Sequence, residues 1–325
     1  MKTVLVNRPI HAKAIDRLAQ EVNVLMPFTA PSAQVFDMLP GLDGFLLCAG
    51  FDFDIAAFDC AANLKVLGRH GVGLDNVDLD AATAYGVPVV YTPFGPTEST
   101  AEHALTLMLA TARHLARMDS ATRAGNFVIR NRLEECGHEM RGKALGVVGF
   151  GRIGRRLAEM CRDALQMVVY VYDPFLPSEQ IAAWGASPVE SLLALAGMVD
   201  VLSLHVPLTP DTHHLIDGAV LAAMKPEAIL ISIARGAVVD EEALVKVLRE
   251  RRIFGAGIDV YDPEPPRPDS PLFQLGNTVL TPHVASFTEE ARELMGLTVA
   301  EDILRVLRGE KPEYLANPEV WKGRD

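Results

Sequence analysis

Three polar residues stand where strands of the second half of the chain should end: Arg235 in ISIARGAVVD, Glu264 in IDVYDPEPP and His283 in LTPHVAS. In a parallel sheet the carboxyl ends of the strands face the ligand crevice. Each residue also has a plainer reading. An arginine after a strand is often a surface charge, an acid in a proline-rich loop often only solvates it, and a lone histidine is usually structural. Together they supply what interconversion of a hydroxy acid and a keto acid requires. An imidazole serves as acid and base because its pKa lies near working pH. A neighbouring carboxylate orients the ring and favours its protonated form. A guanidinium grips a carboxylate with two parallel hydrogen bonds and polarises a carbonyl.

Such chemistry needs a hydride carrier, and ALGVVGFGRIG (144–154) reads as its seat. An apolar strand runs into a glycine-rich turn and then a helix. Gly149 allows the tight turn, Gly151 lets backbone approach a pyrophosphate, and Gly154 lets helix pack close to strand. The helix start offers free N–H groups and the positive end of its dipole to phosphates. A lone GxGxxG also occurs as a shape-giving turn in other α/β proteins. Here a second strand, QMVVYVYD (166–173), ends in Asp173, about 20 residues beyond the last glycine, where an acid meets the adenosine ribose hydroxyls. That carboxylate would oppose the 2′-phosphate of NADP, and Pro174 and Phe175 supply no cation to neutralise it. NAD is the expected cofactor, and no metal is expected.

The elements that must position these residues alternate along the chain. Strands are expected at 3–7, 22–27, 43–49, 64–69 and 88–92, with helices between them at 11–21 and 54–63. A Pro/Gly-rich break at 92–99 precedes a long helix in which Ala101, Leu105, Met108, Ala112 and Leu115 share a face. Six further strands (144–150, 166–173, 198–206, 228–234, 255–260 and 277–282) suit a doubly wound nucleotide domain. After a second break at 281–288, a last helix carries Ala291, Met295, Val299, Ile303 and Val306 on one face. The pairing of the breaks places residues 1–98 and 288–325 in a substrate domain. Residues 99–287 form the inserted nucleotide domain, and the cleft between the two is the expected active site. Residues 119–143, charged and broken by Gly125 and Gly137, read as a solvent-exposed connection with a possible oligomer contact. Their GHEMRGKA (137–144) misses a phosphate loop because Ala144 replaces the hydroxyl and a strand follows.

At 325 residues the chain should form two domains. Its net charge of −12 argues against nucleic acid or an anionic membrane surface as partner. No apolar run reaches the ~18 residues of a membrane span, and MKTVLVNRP reads as a first strand rather than a leader. Cys48, Cys60, Cys136 and Cys161 lack CxxC spacing and read as reduced thiols of a cytoplasmic protein.

The chain resembles the D-isomer-specific 2-hydroxyacid dehydrogenase family over nearly its whole length. The resemblance rests on GRHGVGLDNVD (68–78), TESTAEHALTLMLA (97–110), VVGFGRIG (147–154), LHVPLTPDTHHLI (204–216), ARGAVVDEEAL (234–244), GAGIDVYDPEPP (255–266) and TPHVASFTEEA (281–291). It implies a Rossmann-type domain inserted in a flavodoxin-like α/β domain, NAD-dependent oxidation or reduction at a CH–OH carbon, and a homodimer. It implies that Arg235 binds the substrate carboxylate and carbonyl, that His283 is the acid/base and that Glu264 is its partner. Backbone amides at Val72 and Gly73 would hold the carboxylate, as a glycine-rich turn can. At the cofactor, the resemblance sets Arg152 and Ile153 at the pyrophosphate, Asp173 at the ribose, and Thr212 near the phosphates. It sets Ile233 and Ala234 at the nicotinamide ribose, Asp259 at the carboxamide and Pro207 on the adenine side. Asp259 could equally be a strand-end cap and Thr212 a turn hydroxyl. Ser99–Thr100–Ala101–Glu102 matches a helix capping box, which leaves Glu102 outside the site.

Departures from the family narrow the substrate. Phosphoglycerate-oxidising relatives place an arginine after the third strand, where this chain reads CAGFDFD (48–54), and Phe51 and Phe53 read as an apolar wall. Val72 replaces the lysine of phosphite-oxidising relatives, and Glu264 the glutamine of formate-oxidising ones. Ser232 stands where many members have asparagine, with no evident consequence. The chain ends shortly after its last helix, so no appended regulatory domain is expected. A glyoxylate- or hydroxypyruvate-reducing enzyme is the leading expectation. D-3-phosphoglycerate dehydrogenase and a nonenzymatic NAD-sensing co-repressor-like scaffold are the alternatives.

Overall fold

Short apolar runs such as VLV and GFLL lack polar alternation because their sheet is covered on both faces. They form β1 (Thr3–Val6), β2 (Asn23–Leu25), β3 (Gly44–Leu47), β4 (Val66–Arg69) and β5 (Val89–Tyr91). The structure is a computed structural model that describes residues 1–322. The strands pair in parallel in the order β2-β1-β3-β4-β5, the flavodoxin-like order. They belong to a unit formed by Met1–Pro96 and the chain from Phe287 onward.

One face of this sheet is covered by helices Ala12–Ala19 and Glu289–Arg308, with Val4, Val6, Leu46, Val66, Val299 and Ile303 in one buried cluster. The late helix sits close because Gly68 has no side chain; a Cβ there would lie 2.5 Å from Ile303 Cδ1. Thr288 caps its start by accepting from the Ala291 N–H, and Gly309 ends it at φ +86. Val299 and Ile303 are fully buried, each contributing about 1.5–3 kcal/mol. The other face holds Phe45, Phe53 and Phe58. Here the structure corrects the sequence reading. Phe51 and Phe53 form no pocket wall; their rings pack against Phe45 at 5.5 and 5.2 Å inside the core.

Thr97–Ser286 form the second unit. Its strands are β6 (Ala144–Val148), β7 (Val168–Tyr172), β8 (Ser187–Pro188), β9 (Val201–Leu204), β10 (Ile229–Ser232), β11 (Gly255–Ile258) and β12 (Thr278–Leu280). All pair in parallel in the order β12-β11-β10-β9-β6-β7-β8, a doubly wound sheet that reverses direction beside β6. The sequence reading lacked β8, a two-residue exposed edge with no periodicity to read.

Helix Thr97–Ala112 lies tightly on this sheet, since a Cβ on Gly257 would stand 2.8 Å from Leu107 Cβ. It starts two residues before Ser99, so the expected capping box lies inside the helix rather than at its start. Leu115 does not share its buried face; it opens the next helix, Leu115–Arg123, and is exposed. The segment after it is short 3-10 turns, with Phe127, Val128 and Leu133 exposed. Among the described residues no helix is long and apolar enough to cross a membrane.

Candidate active site

The glycine-rich turn follows β6, beside the reversal of strand order. Gly149 has φ +87, and a Cβ there would lie 2.8 Å from the His205 carbonyl oxygen. A Cβ on Gly154 would collide with the Gly149 carbonyl, so helix Arg152–Leu165 rests directly on the turn. Gly151 is different: a Cβ there would meet nothing within 4 Å. It caps the helix with no side-chain bond, and Arg152 and Ile153 form the first helical positions behind it. Three glycines thus have three separate reasons, and the open one lies where a pyrophosphate must approach.

Asp173 follows β7. Its Oδ2 accepts from the Phe150 N–H inside the turn at 2.8 Å, and its Oδ1 accepts from Phe175 N–H at 3.0 Å. Each oxygen keeps a lone pair for a further donor. The half-buried carboxylate therefore both fixes the turn and stays able to receive hydroxyl groups. Pro207 is exposed after β9. Thr212 donates its hydroxyl to the Pro207 carbonyl at 2.6 Å and accepts from the Thr209 N–H at 2.8 Å, the geometry of a turn hydroxyl. Beneath this loop, His205 bonds Ser203 Oγ at 2.9 Å, and burial pulls its pKa down to about 3.

The polar triad stands at the ends of three adjacent strands. Ile233 (buried), Ala234 and Arg235 follow β10; Arg235 is extended, and its Nη1 donates to the Ala234 carbonyl at 2.7 Å. Gly236 then lies so close to the segment after β11 that a Cβ would collide with the Tyr261 carbonyl. Three residues further along that segment, Glu264 Oε1 lies 2.5 Å from His283 Nδ1, both side chains about two-fifths exposed. His283, after β12, has φ +53. With Nδ1 held by the acid, Nε2 has no partner among the described residues.

Asp259 explains how His283 is held in that left-handed conformation. It is fully buried at the end of β11. Its Oδ1 accepts from Thr281 Oγ1 at 2.6 Å and from the Val284 N–H at 2.9 Å, and its Oδ2 from the Ala285 N–H at 2.9 Å. His283 N–H donates to the Asp259 carbonyl at 2.8 Å. This is the strand-end cap of its two readings. Burial would push its carboxyl up, but bonds from His103, Thr281 and the two amides outweigh that and hold it below the ordinary carboxylate range. His103, on helix Thr97–Ala112, reaches both Thr281 Oγ1 at 3.0 Å and Asp259 Oδ1 at 3.4 Å. Sequence reasoning missed it, because no local spacing links a helix residue to a loop so far along the chain.

Val72 and Gly73 belong to the first unit, in the turn after β4. Gly71 pins that turn, exchanging bonds with Thr92 Oγ1 at 2.9 Å and Thr92 N–H at 3.1 Å. The next two amides, Val72 and Gly73, have no partner among the described residues, and Val72 is exposed.

Comparison with known proteins agrees with this architecture. Residues 105–285 match the family described as D-isomer specific 2-hydroxyacid dehydrogenase, NAD binding domain. The D-3-phosphoglycerate dehydrogenase of Archaeoglobus fulgidus is 39% identical over 307 residues, covering 94% of this chain and 57% of that protein. The chain thus spans a little over half the length of this and the similar relative from Methanocaldococcus jannaschii. The glyoxylate reductase of Pyrococcus furiosus is 37% identical over 330 residues, covering 99% of this chain and 97% of that one. Among solved structures, an NADPH-dependent glyoxylate/hydroxypyruvate reductase of Sinorhizobium meliloti, with NADP and malonate bound, superposes with a TM-score of 0.86. It shares 30% identity and covers 98% of this chain and 97% of its own. On the matched domain and on relatives aligned almost end to end, the chain belongs to the D-isomer-specific 2-hydroxyacid dehydrogenase family.

Proposed function

We propose that this protein is an NAD(H)-dependent enzyme that interconverts a small (R)-2-hydroxy acid and its 2-keto acid. The single observation that carries the reading is the Glu264–His283 pair at 2.5 Å, set at strand ends of a sheet whose glycine turn fits a dinucleotide. The pyrophosphate is held by the Arg152 and Ile153 amides at the helix start beside Gly149, Gly151 and Gly154, and the ribose by Asp173. Pro207 and Thr212 shape the adenine and phosphate side, and Ile233 and Ala234 flank the nicotinamide ribose. When bound, the nicotinamide supplies or accepts the hydride. His283 Nε2 takes the substrate hydroxyl proton as the carbon becomes a carbonyl, and returns it in the reducing direction. Glu264 holds Nδ1–H and stabilises the charge that the ring acquires. Arg235 binds the substrate carboxylate and polarises its carbonyl, and the Val72 and Gly73 amides receive the carboxylate. Asp259 is a positioning residue that acts through the His283 loop.

Short 2-keto acids of the glyoxylate and hydroxypyruvate kind are the substrates this reading favours, since relatives so named align over almost their whole length. A second reading, D-3-phosphoglycerate dehydrogenase, is favoured by relatives of that name at 38–39% identity. An intact Glu264–His283 pair speaks for catalysis over a sensing scaffold. Exposed Phe127, Val128 and Leu133 support a homodimer, and four unpaired cysteines support a cytoplasmic setting. NADH oxidation with a panel of 2-keto acids tests the reading; turnover of at least one is expected, and none with any would overturn it.

A further inference from the structure

Two neighbouring histidines and an acid from a separate segment meet on the second unit, outside the Glu264–His283 pair. His213 and His214 lie in the loop after β9, and Asp262 lies in the segment after β11. All three are exposed, and one ligand atom from each lies within 4.8 Å of the others. Among the described residues no other three histidine, cysteine or acidic side chains converge in this way.

Consecutive side chains of an extended chain point to opposite sides. His214 departs from that pattern with a left-handed backbone, φ +50, and the two rings stack with centres 4.0 Å apart at 24°. Their edges therefore run side by side. Both halves of the cluster rest on the segment between β10 and helix Glu241–Arg249. His214 N–H donates to the Ala237 carbonyl at 2.8 Å, and Ile216 pairs with Val239 as an isolated parallel bridge. A Cβ on Gly236 would stand 2.7 Å from the Asp262 nitrogen, and Asp262 N–H donates to Glu241 Oε2 at 3.4 Å. One common support thus fixes the backbone of all three residues. No hydrogen bond or ion pair among the described residues takes up any of the three side chains. Around a cation at about 2.0–2.1 Å from each donor, ligand atoms stand roughly 3.3 Å apart, so a small rotation of these side chains closes the gap.

We infer that His213, His214 and Asp262 bind a divalent transition cation such as Zn²⁺ or Ni²⁺, which ties the loop after β9 to the segment after β11. Two imidazoles and a carboxylate suit such ions, whereas Mg²⁺ and Ca²⁺ take oxygen donors throughout. Three protein donors leave at least one coordination position for water. The loop also carries Thr212 and the segment carries Glu264, so the cation joins the cofactor side of the proposed site to its catalytic side. The inference goes beyond the proposed reaction and does not depend on it.

The test is calorimetric titration of the full-length protein, treated with EDTA and dialysed, with NiCl₂ and with MgCl₂ as control. Ni²⁺ is the probe because imidazole suits it, while thiols such as the exposed Cys136 favour Zn²⁺. Wild type should bind Ni²⁺ saturably and gain in Tm, and Mg²⁺ should do neither. His213→Gln, His214→Asn and Asp262→Asn should each weaken Ni²⁺ binding by about tenfold or more and remove the gain in Tm. Asparagine is chosen at 214 because it tolerates a left-handed backbone. No saturable binding by wild type, or wild-type affinity in any one of the three variants, would overturn the inference. Tm without metal shows whether each variant folds. Should one fail to fold, electron paramagnetic resonance of wild type with one equivalent of Cu²⁺ reads the donors directly; coupling to two nitrogens is expected, and one or none overturns the site. NADH oxidation enters none of these readings, so failure of the proposed reaction would leave them intact.

Discussion

Glu264 Oε1 sits 2.5 Å from His283 Nδ1, although the two residues end different strand connections and come 19 positions apart. The contact fixes which ring nitrogen carries the proton and leaves the other for substrate. His283→Ala should cut kcat by ~10²–10⁴ with NADH binding nearly intact. Glu264→Gln keeps a hydrogen-bond partner but loses the charge, and should cost less, about tenfold or more in kcat. Steady-state kinetics alongside NADH fluorescence titration check both; unchanged turnover in His283→Ala would remove it from the reaction.

Asp259 holds the loop that carries His283 and should be intolerant of even a small change. In Asp259→Asn an amide NH₂ must face a backbone N–H of Val284 or Ala285, leaving buried donors opposed. The expected cost is on the order of 3 kcal/mol in stability, with a fall in kcat. Thermal denaturation and kinetics read the two effects; a variant as stable and as active as wild type would show that the cap does not position the loop.

Asp173 couples cofactor choice to the shape of the glycine turn. Asp173→Ala should weaken NADH binding and narrow the gap to NADPH, because the like charge facing a 2′-phosphate is gone. The lost bond to Phe150 N–H should also loosen the turn, so both cofactors bind less well than their best. Dissociation constants for both, by fluorescence, test this; a native protein that binds NADPH as tightly as NADH would refute the selectivity argument.

Three histidines should make stability depend on pH. Burial lowers His205 to about 3 and His70 to about 4, and it also lowers His114. Their unfolded value is about 6.5, so between that pH and the folded values the unfolded chain binds more protons. The stabilisation from keeping them neutral is complete above about pH 6.5 and is lost as pH falls. Tm should therefore drop between pH 7.5 and 5, and less steeply in His205→Gln. A flat profile would contradict the burial of these rings.

Gly236 should tolerate no side chain. A Cβ would collide with the Tyr261 backbone, forcing apart the segments that carry Arg235 and Glu264. Gly236→Ala should lose both stability and turnover, read by Tm and kcat; wild-type values would show that the two segments can separate freely.

Much of this was legible because the signals were local. The glycine turn, Asp173 and the apolar strands each announce themselves within a few residues, and Arg235, Glu264 and His283 follow strands that read clearly. What stayed hidden was tertiary. Phe51 and Phe53 sit in a loop by sequence, yet face inward onto Phe45, which no spacing could reveal. His103 meets Thr281 only because a helix lies across β11 and β12. The edge strand β8 and helix Ser32–Met38 are too short for a period to emerge.

The late helix Glu289–Arg308 has a consequence for biosynthesis. Residues 1–96 leave the ribosome long before it does, and until then only helix Ala12–Ala19 covers the face that holds Val4, Val6, Leu46 and Val66. The middle of the chain can finish its own core first, while the beginning waits with one oily face half covered. A ribosome stalled before residue 289 would therefore carry a completed nucleotide-binding module tethered to a sticky, half-built one, a natural client for chaperones.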